Sequence, residues 1–218
     1  MIKSVEVTTD QGIMVKPREL IEIKGAGPLG LLDRRNFNIL LDKAWGKELL
    51  QPHHQFTIDT SELRHGSANN QKMKASLRKL QQTLVVVTKA NGDEVTSQLL
   101  GSTRVKANGD LTFSFPYELS GLLKDSSVFA KLDLEVMKSF SSKYAFALYE
   151  QVSRRINLSY QMTEDLSVQE LRDLLGVEDG KLTKVFNLTK KALEPALTEV
   201  NAITPYQVTI IPRKKGRK

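Results

Sequence analysis

The sequence has no cysteine, and this absence excludes disulfide bonds and metal sites built on thiolate ligands. It also lacks any run of 18 apolar residues, so we expect no membrane-spanning helix and no membrane partner. The first residues, Met1 to Ser4, do not lead into the apolar stretch of a secretory signal peptide. These absences together favour a cytoplasmic protein.

Acidic residues are outnumbered by basic ones, and the excess lies near the C-terminus. The net charge is +7, and 40% of the residues are hydrophobic, which is enough to build a core. From Gly176 to Lys218 there are nine Lys or Arg and only four Asp or Glu, so this segment carries five of the seven net charges. Such a cluster predicts a polyanionic partner, either nucleic acid or a membrane surface. The alternative is a solvated face followed by a basic tail.

Apolar periodicity and turn residues predict an α+β chain in which one order of elements occurs twice. The first copy has a helix over 29–49, a strand over 54–58, a short helix over 59–66, a helix over 70–82, a strand over 84–87, a hairpin turn at Asn91-Gly92 and a return strand over 94–105. The second copy has a helix over 141–156, a short helix from Ser167 to Gly176, a long helix over 182–201 and a strand over 207–211. Outside the copies we expect strands over 2–8, 111–115 and 131–137, a hairpin at Asn108-Gly109 and a short helix over 116–123.

The short helix of each copy carries the same local pattern. Asp59-x-x-Glu62-Leu63-Arg64 matches Ser167-x-x-Glu170-Leu171-Arg172, and each begins as a helix-capping box does. Helix, strand, helix, helix and hairpin is the order of a winged helix-turn-helix domain. The sequence therefore predicts two such domains in tandem, with a lead-in over 1–28, a first domain over 29–130 and a second domain over 131–218.

The second long helix of a helix-turn-helix enters the major groove, so its outward face is the candidate DNA-binding surface. In the first copy we expect Met73, Leu77 and Leu80 to point inward. Arg, Asn and Gln can pair with base edges, whereas Lys suits phosphate. The candidate residues of this helix are Asn70, Gln71, Lys72, Lys74 and Arg78.

The second copy offers the more basic surface. Its predicted inward residues are Leu182, Phe186, Leu193, Leu197 and Val200. Its candidate DNA-binding residues are Lys184, Asn187 and Lys191 on the helix, with Arg213, Lys214, Lys215 and Arg217 in the following turn as phosphate contacts. We expect Pro195 to kink the helix or loosen one turn. A solvated basic face remains the alternative for either helix.

The two wings differ in sequence. The first, placed at 89–93, is less basic and is the weaker candidate for phosphate contact. The second has its turn at 212–218, but no return strand follows. We expect a chain cut inside this wing rather than a natural basic tail.

A glycine-rich segment raises an alternative. Gly25-Ala26-Gly27-Pro28-Leu29-Gly30 has the spacing of a dinucleotide-binding loop. The elements that follow do not alternate as a parallel sheet requires, and Pro28 lacks the N–H that phosphate needs, so we interpret the segment as a flexible lead-in. The three histidines do not have metal-ligand spacing, and no nucleophile has an evident base. We predict no catalytic residues, no cofactor and no metal.

Several segments resemble one family, the theta-type plasmid replication initiators that bind repeated origin sites called iterons. Residues 134–150 contain that family's Lys-Ser, Ser-x-Tyr and Leu-Tyr-Glu series, and 171–177 resemble its Leu-Arg…Leu-Gly-Val helix. Residues 193–201 resemble its Leu-x-Pro-Ala segment, and 214–217 its wing turn. The similarity at 34–41 is weaker.

The resemblance implies two winged-helix domains with pseudo-twofold symmetry, of which the second is the main reader of DNA. It also implies a bacterial protein at the nucleoid or plasmid. Monomers would bind iterons, bend and help open the origin, and load the host helicase together with the host initiator. Dimers, paired through the first domain, would repress their own gene. The missing last wing strand puts full DNA affinity in doubt.

Three functions therefore stay open: a plasmid replication initiator, a transcriptional repressor with the same fold, and a nucleotide-binding enzyme that uses the glycine loop. Repeated sites near an A·T-rich origin would separate the first two, and stabilisation by nucleotide would support the third.

Overall fold

The computed structural model describes residues 4–8, 10–51, 53–67, 69–89, 91–123, 126–158 and 163–213. Its strands are β1 (Ile13–Pro17), β2 (Phe56–Asp59), β3 (Leu84–Thr88), β4 (Glu94–Gln98), β5 (Thr103–Val105), β6 (Asp110–Phe113) and β7 (Phe129–Asp133). Its α-helices are α1 (Arg18–Ile21), α2 (Leu31–Ala44), α3 (Gln71–Gln82), α4 (Tyr117–Leu123), α5 (Leu134–Ser139), α6 (Lys143–Ile156), α7 (Val168–Leu175), α8 (Val185–Leu188) and α9 (Glu194–Ile203). Short 3₁₀ turns cover Ser4–Glu6, Lys47–Leu50 and Thr60–Leu63, and a π turn, Thr189–Leu193, joins α8 to α9. In the described part of the chain, no helix is long and apolar enough to cross a membrane.

The sheet of the first domain has the strand order β2-β6-β5, and all its pairs are antiparallel. In a winged-helix domain, one strand lies between the first and the second helix. The wing is the hairpin whose strands pair with that strand in the same sheet. That hairpin is β5–β6, with its turn at Asn108-Gly109, so the placement of the wing at Asn91-Gly92 was wrong. The hairpin at Asn91-Gly92 does form, but β3 and β4 make a separate two-stranded sheet. The expected return strand over 94–105 is interrupted at 99–102, where Leu99 and Leu100 are both fully buried.

The N-terminal strand expected over 2–8 was also wrong in the described part, which forms a 3₁₀ turn at Ser4–Glu6. The backbone N–H of Ser4 donates to the carbonyl of Ser126, which holds the turn in place. The strand lies further on, in β1, and pairs with β7. The strand expected over 131–137 ends at Asp133, because the Asp133 carboxylate accepts the N–H groups of Glu135 and Val136 and starts α5.

In the second copy, the helices expected over 141–156 and from Ser167 to Gly176 both form. Ser142 caps α6, and Ser167 with Glu170 makes the predicted capping box of α7. The strand expected over 207–211 was wrong, since no described segment lies beside it as a ladder partner. Instead, the Asn201 side chain makes both a donor and an acceptor bond to the backbone of Val208.

Buried polar contacts join β1 and α2 to the segment that contains α5 and α6. The ammonium of Lys16 on β1 lies 2.7 Å from the carboxylate of Glu150 on α6, and both side chains are almost fully buried. Asn38 on α2 donates to the same Glu150 oxygen at 2.7 Å. Arg35, also on α2, donates to the backbone carbonyls of Met137, Lys138 and Phe140 at and just beyond the end of α5. These contacts hold α2 and β1 against α5 and α6.

Candidate nucleic-acid interface

The α3 helix presents the outward face that its sequence predicts. Met73, Leu77 and Leu80 are buried, as expected. Asn70 lies half-buried at the N-cap position. The other candidates, Gln71, Lys72, Lys74 and Arg78, are exposed.

A chain of three polar side chains positions α3 against α2. The Nε2 atom of His65 lies 2.7 Å from the side-chain oxygen of Asn36, and the side-chain amide of Asn36 donates to the hydroxyl of Ser76 on α3. Burial, helped by Arg35 and Lys138, lowers the pKa of His65 and favours the neutral ring. Since the Asn36 oxygen is only an acceptor, Nε2 carries the proton. His65 therefore has a structural role, because it helps to position α3.

The first wing lies beside α3 and adds two cations that sequence reasoning missed. A groove of about 250 Å³ between α3 and β5 is lined by Lys74, Leu77, Arg78, Gln81, Thr103 and Val105. Gln81 closes it by donating to the carbonyl of Gly101 at 2.7 Å. Arg104 and Lys106 are exposed on this wing. The Asn108-Gly109 turn in the sequence is the signal that could have identified this wing.

The turn between α7 and α8 is held by one arginine of the repeated motif. Arg172 donates from two nitrogens to the carbonyls of Lys181 and Leu182, each at 2.7 Å. Leu182 has a φ of 48°, a left-handed conformation that a branched side chain rarely adopts. Gly176 ends α7 at a φ of 64°. Arg172 thus fixes the strained turn that aims the second recognition helix.

The second recognition helix consists of α8, the π turn and α9. The expectation that Pro195 loosens one turn is met, because the π turn ends immediately before Glu194-Pro195. Lys184 is exposed at the N-cap of α8, Lys191 is exposed, and Asn187 is half-buried. All three candidates therefore reach the surface.

One predicted inward residue is wrong. Phe186 is 70% exposed, whereas Leu188 is the buried residue of α8. In a regular helix, Phe186 would lie on the same face as Leu193, seven residues later. The π turn adds a residue to one helical turn, which changes the rotation between Phe186 and Leu193, so the two residues lie on different faces.

The basic turn after Ile211 is described only in part. Arg213 is exposed and lies 3.4 Å from the carboxylate of Asp165, a contact of little energy at such exposure. Lys214, Lys215 and Arg217 lie outside the described residues.

Most of the candidate cations are available for a partner. Within the described ranges, no ion pair involves Lys72, Lys74, Arg78, Lys184 or Lys191. Lys79 differs, since it lies 3.2 Å from Asp33 on α2. Each recognition helix therefore presents uncompensated positive charge to solvent, which suits phosphate contact.

The glycine-rich segment is not a flexible lead-in, which corrects that expectation. A side chain at Gly25 would lie 2.5 Å from the carbonyl oxygen of Leu84, and one at Gly27 would lie 2.9 Å from the Cα of Glu178. The N–H of Gly30 is occupied by the Asp33 carboxylate at 2.8 Å. The glycines allow close packing against β3 and against the turn after α7.

Comparison with known proteins gives a consistent result. The family model described as "Initiator Replication protein, WH1" matches residues 13–153, and that described as "Initiator Rep protein, WH2" matches residues 167–218. No curated protein matches the chain. Among solved structures, the chain is similar to the Pi initiator protein in complex with iteron DNA, with a TM-score of 0.64 and 18% identity over 97% of this chain and 95% of that one. The predicted tandem winged-helix fold is thus confirmed, and the chain belongs to the family of replication initiator proteins with two winged-helix domains.

Proposed function

We propose that this chain binds double-stranded DNA at repeated iteron sites of a plasmid origin and initiates replication there. The observation that carries the proposal is the presence of two helix-turn-helix units, each with unpaired cations on the outward face of its recognition helix. One chain can then contact two neighbouring stretches of a duplex.

The two domains make different contacts with the DNA. The first domain, 29–130, contacts the DNA backbone through α3 and its wing and pairs copies of the chain. The second domain, 131–218, reads most of the sequence through Asn187 and places Lys184 and Lys191 near phosphates. The basic turn that begins at Arg213 adds phosphate contacts.

Membership of an initiator family supports the rest of the proposal. The monomer helps open the origin and engages the host initiator and helicase. A dimer represses the protein's own gene, so the chain exchanges between two states at the nucleoid or plasmid. A repressor that lacks initiator activity is the alternative, and only repeated sites beside an A·T-rich segment would favour initiation over it.

A binding selection on random duplexes tests this function. It is followed by a search of plasmid sequences for tandem copies of the selected site. We expect one preferred site, present as closely spaced repeats. Asn187→Ala should weaken specific binding by about 1–3 kcal/mol, and Lys191→Ala should lower the salt slope by about one unit.

Lys138→Ala is the matched control, because Lys138 is exposed on α5 and already pairs with Glu135. Its affinity should equal that of the wild type. Failure to enrich any duplex would overturn the proposal, and equal affinity of the wild type, Asn187→Ala and Lys191→Ala would remove the α8 face from it.

A further inference from the structure

Two large apolar side chains stand exposed at the start of the second recognition helix. Val185 is 56% exposed and Phe186 is 70% exposed, although both lie in the first turn of α8. Neither is among the residues that pack against the core, whereas Leu188, one turn later, is 1% exposed. Adjacent exposed apolar residues of this size mark a contact surface more often than isolated ones do.

The exposure follows from the helix geometry. Leu188 faces the core, and at 100° per residue Phe186 lies on the opposite side of α8. The π turn makes this arrangement possible. It shifts the helix so that Ala192, Leu193 and Ala196 face the core although Phe186 faces outward. A π turn within a helix often accompanies a functional site.

Charge around the two side chains indicates what they contact. Exposed Lys184 precedes them and exposed Lys191 follows in the π turn, and neither has an ion-pair partner in the part of the chain that the structure describes. Such a basic setting favours a polyanion. A duplex major groove presents one apolar group at its base edges, the 5-methyl group of thymine, and an aromatic ring is a known partner for it.

We propose that Phe186, with Val185 beside it, is a specificity-determining contact that recognises the 5-methyl group of thymine in the major groove. This inference rests on the proposed function, because it requires that α8 enters a duplex. It assigns A·T base pairs to the part of the site that the tip of α8 covers. Asn187, next in sequence, has the amide that pairs with adenine and strengthens the same preference.

Replacement of thymine by deoxyuracil tests the contact, because it removes the methyl group and leaves base pairing unchanged. The duplex selected by the wild-type chain is prepared with one such replacement at a time, and affinity is measured by fluorescence anisotropy. At one or two positions we expect affinity to fall about fourfold, the value of one buried methyl group. Phe186→Ala should bind the unmodified duplex more weakly and should show no further loss at those same positions.

Two variants control the experiment. Phe186→Leu keeps an apolar side chain and should keep part of the sensitivity to deoxyuracil. Tyr117→Ala removes an aromatic ring that is 64% exposed on α4, and its sensitivity should match that of the wild type. Since Phe186 packs against nothing in the core, the urea midpoint of Phe186→Ala should equal that of the wild type.

The outcomes separate the inference from the function on which it rests. Equal affinity for thymine and deoxyuracil duplexes at every position would overturn the methyl contact while specific DNA binding stands. The same conclusion follows if Phe186→Ala keeps the wild-type sensitivity, or if it changes only self-association. Absence of any selected duplex would overturn both proposals.

Discussion

Replacement of Glu150 by glutamine tests the contact that joins β1 to α6. The Lys16 ammonium and the Glu150 carboxylate lie 2.7 Å apart, with side-chain exposures of 5% and 4%. Glutamine keeps the shape of the side chain and an oxygen for the Asn38 amide, which now donates to Glu150 at 2.7 Å. The substitution therefore removes the negative charge and leaves most of the packing intact.

The burial of the pair sets the expected magnitude. An exposed ion pair is worth about 0–1 kcal/mol, whereas loss of one partner of a buried pair costs about 3–5 kcal/mol, because the remaining charge is uncompensated. Since Asn38 keeps an acceptor in Glu150→Gln, we expect the lower end, about 3 kcal/mol in the free energy of unfolding. Lys16→Met combined with Glu150→Gln removes both charges and should recover more than half of that loss.

Urea unfolding followed by circular dichroism measures these changes, and the four proteins of the cycle give the coupling between the two residues. A loss below about 1 kcal/mol for Glu150→Gln, or no recovery in the double variant, would refute the assignment of a stabilising buried pair.

The same residues predict a pH dependence. Burial lowers the pKa of Lys16 from its usual 10.5, with Arg34 adding to the effect and Glu150 opposing it. Between the lowered pKa and 10.5 the unfolded chain binds more protons at this position than the folded chain does, so stability rises with pH. The wild type should gain stability relative to Lys16→Met as pH approaches 10.5, and parallel curves would contradict the lowered pKa.

Three further substitutions test the second helix-turn-helix. Ser167→Ala removes the capping box of α7 and should cost about 1 kcal/mol in urea unfolding; an unchanged midpoint would show that the cap contributes nothing. Gly176→Ala should destabilise by about 1–3 kcal/mol, because its φ is 64° and the new Cβ would collide with the Arg34 guanidinium; wild-type stability would contradict this packing. Arg172→Ala removes the bonds to Lys181 and Leu182 and should lower affinity for the selected duplex by about 10- to 150-fold, the equivalent of about 1.5–3 kcal/mol of lost charged hydrogen bonding; unchanged binding would mean that the turn holds its shape without Arg172.

Local sequence signals predicted the elements that depend on local bonds. The capping box at Ser167 and Glu170, the inward side of α3 and the loosened turn before Pro195 all follow from residues close together in the chain. The candidate cations of α3 reach the surface for the same reason, since an amphipathic helix of regular phase shows its outward face in its sequence.

Features that depend on distant residues, or on an irregular turn within a helix, were not predicted. The wing was misplaced because two hairpins have suitable turns, and only pairing of β6 with β2, some 50 residues apart, distinguishes them. The prediction that Phe186 faces inward was wrong, because a π turn changes which residues of a helix face the core and the sequence does not show where this change begins. The contact of Lys16 with Glu150 spans 134 residues and has no local signature.

One measurement tests most directly whether both helix-turn-helix units bind DNA. The selected duplex is titrated with the wild type, Arg78→Ala and Lys191→Ala at a series of salt concentrations. We predict a steep fall of affinity with salt for the wild type, and a salt slope lower by about one unit for each variant. A flat salt dependence, or wild-type affinity and slope in either variant, would contradict a chain that contacts the duplex through both recognition helices.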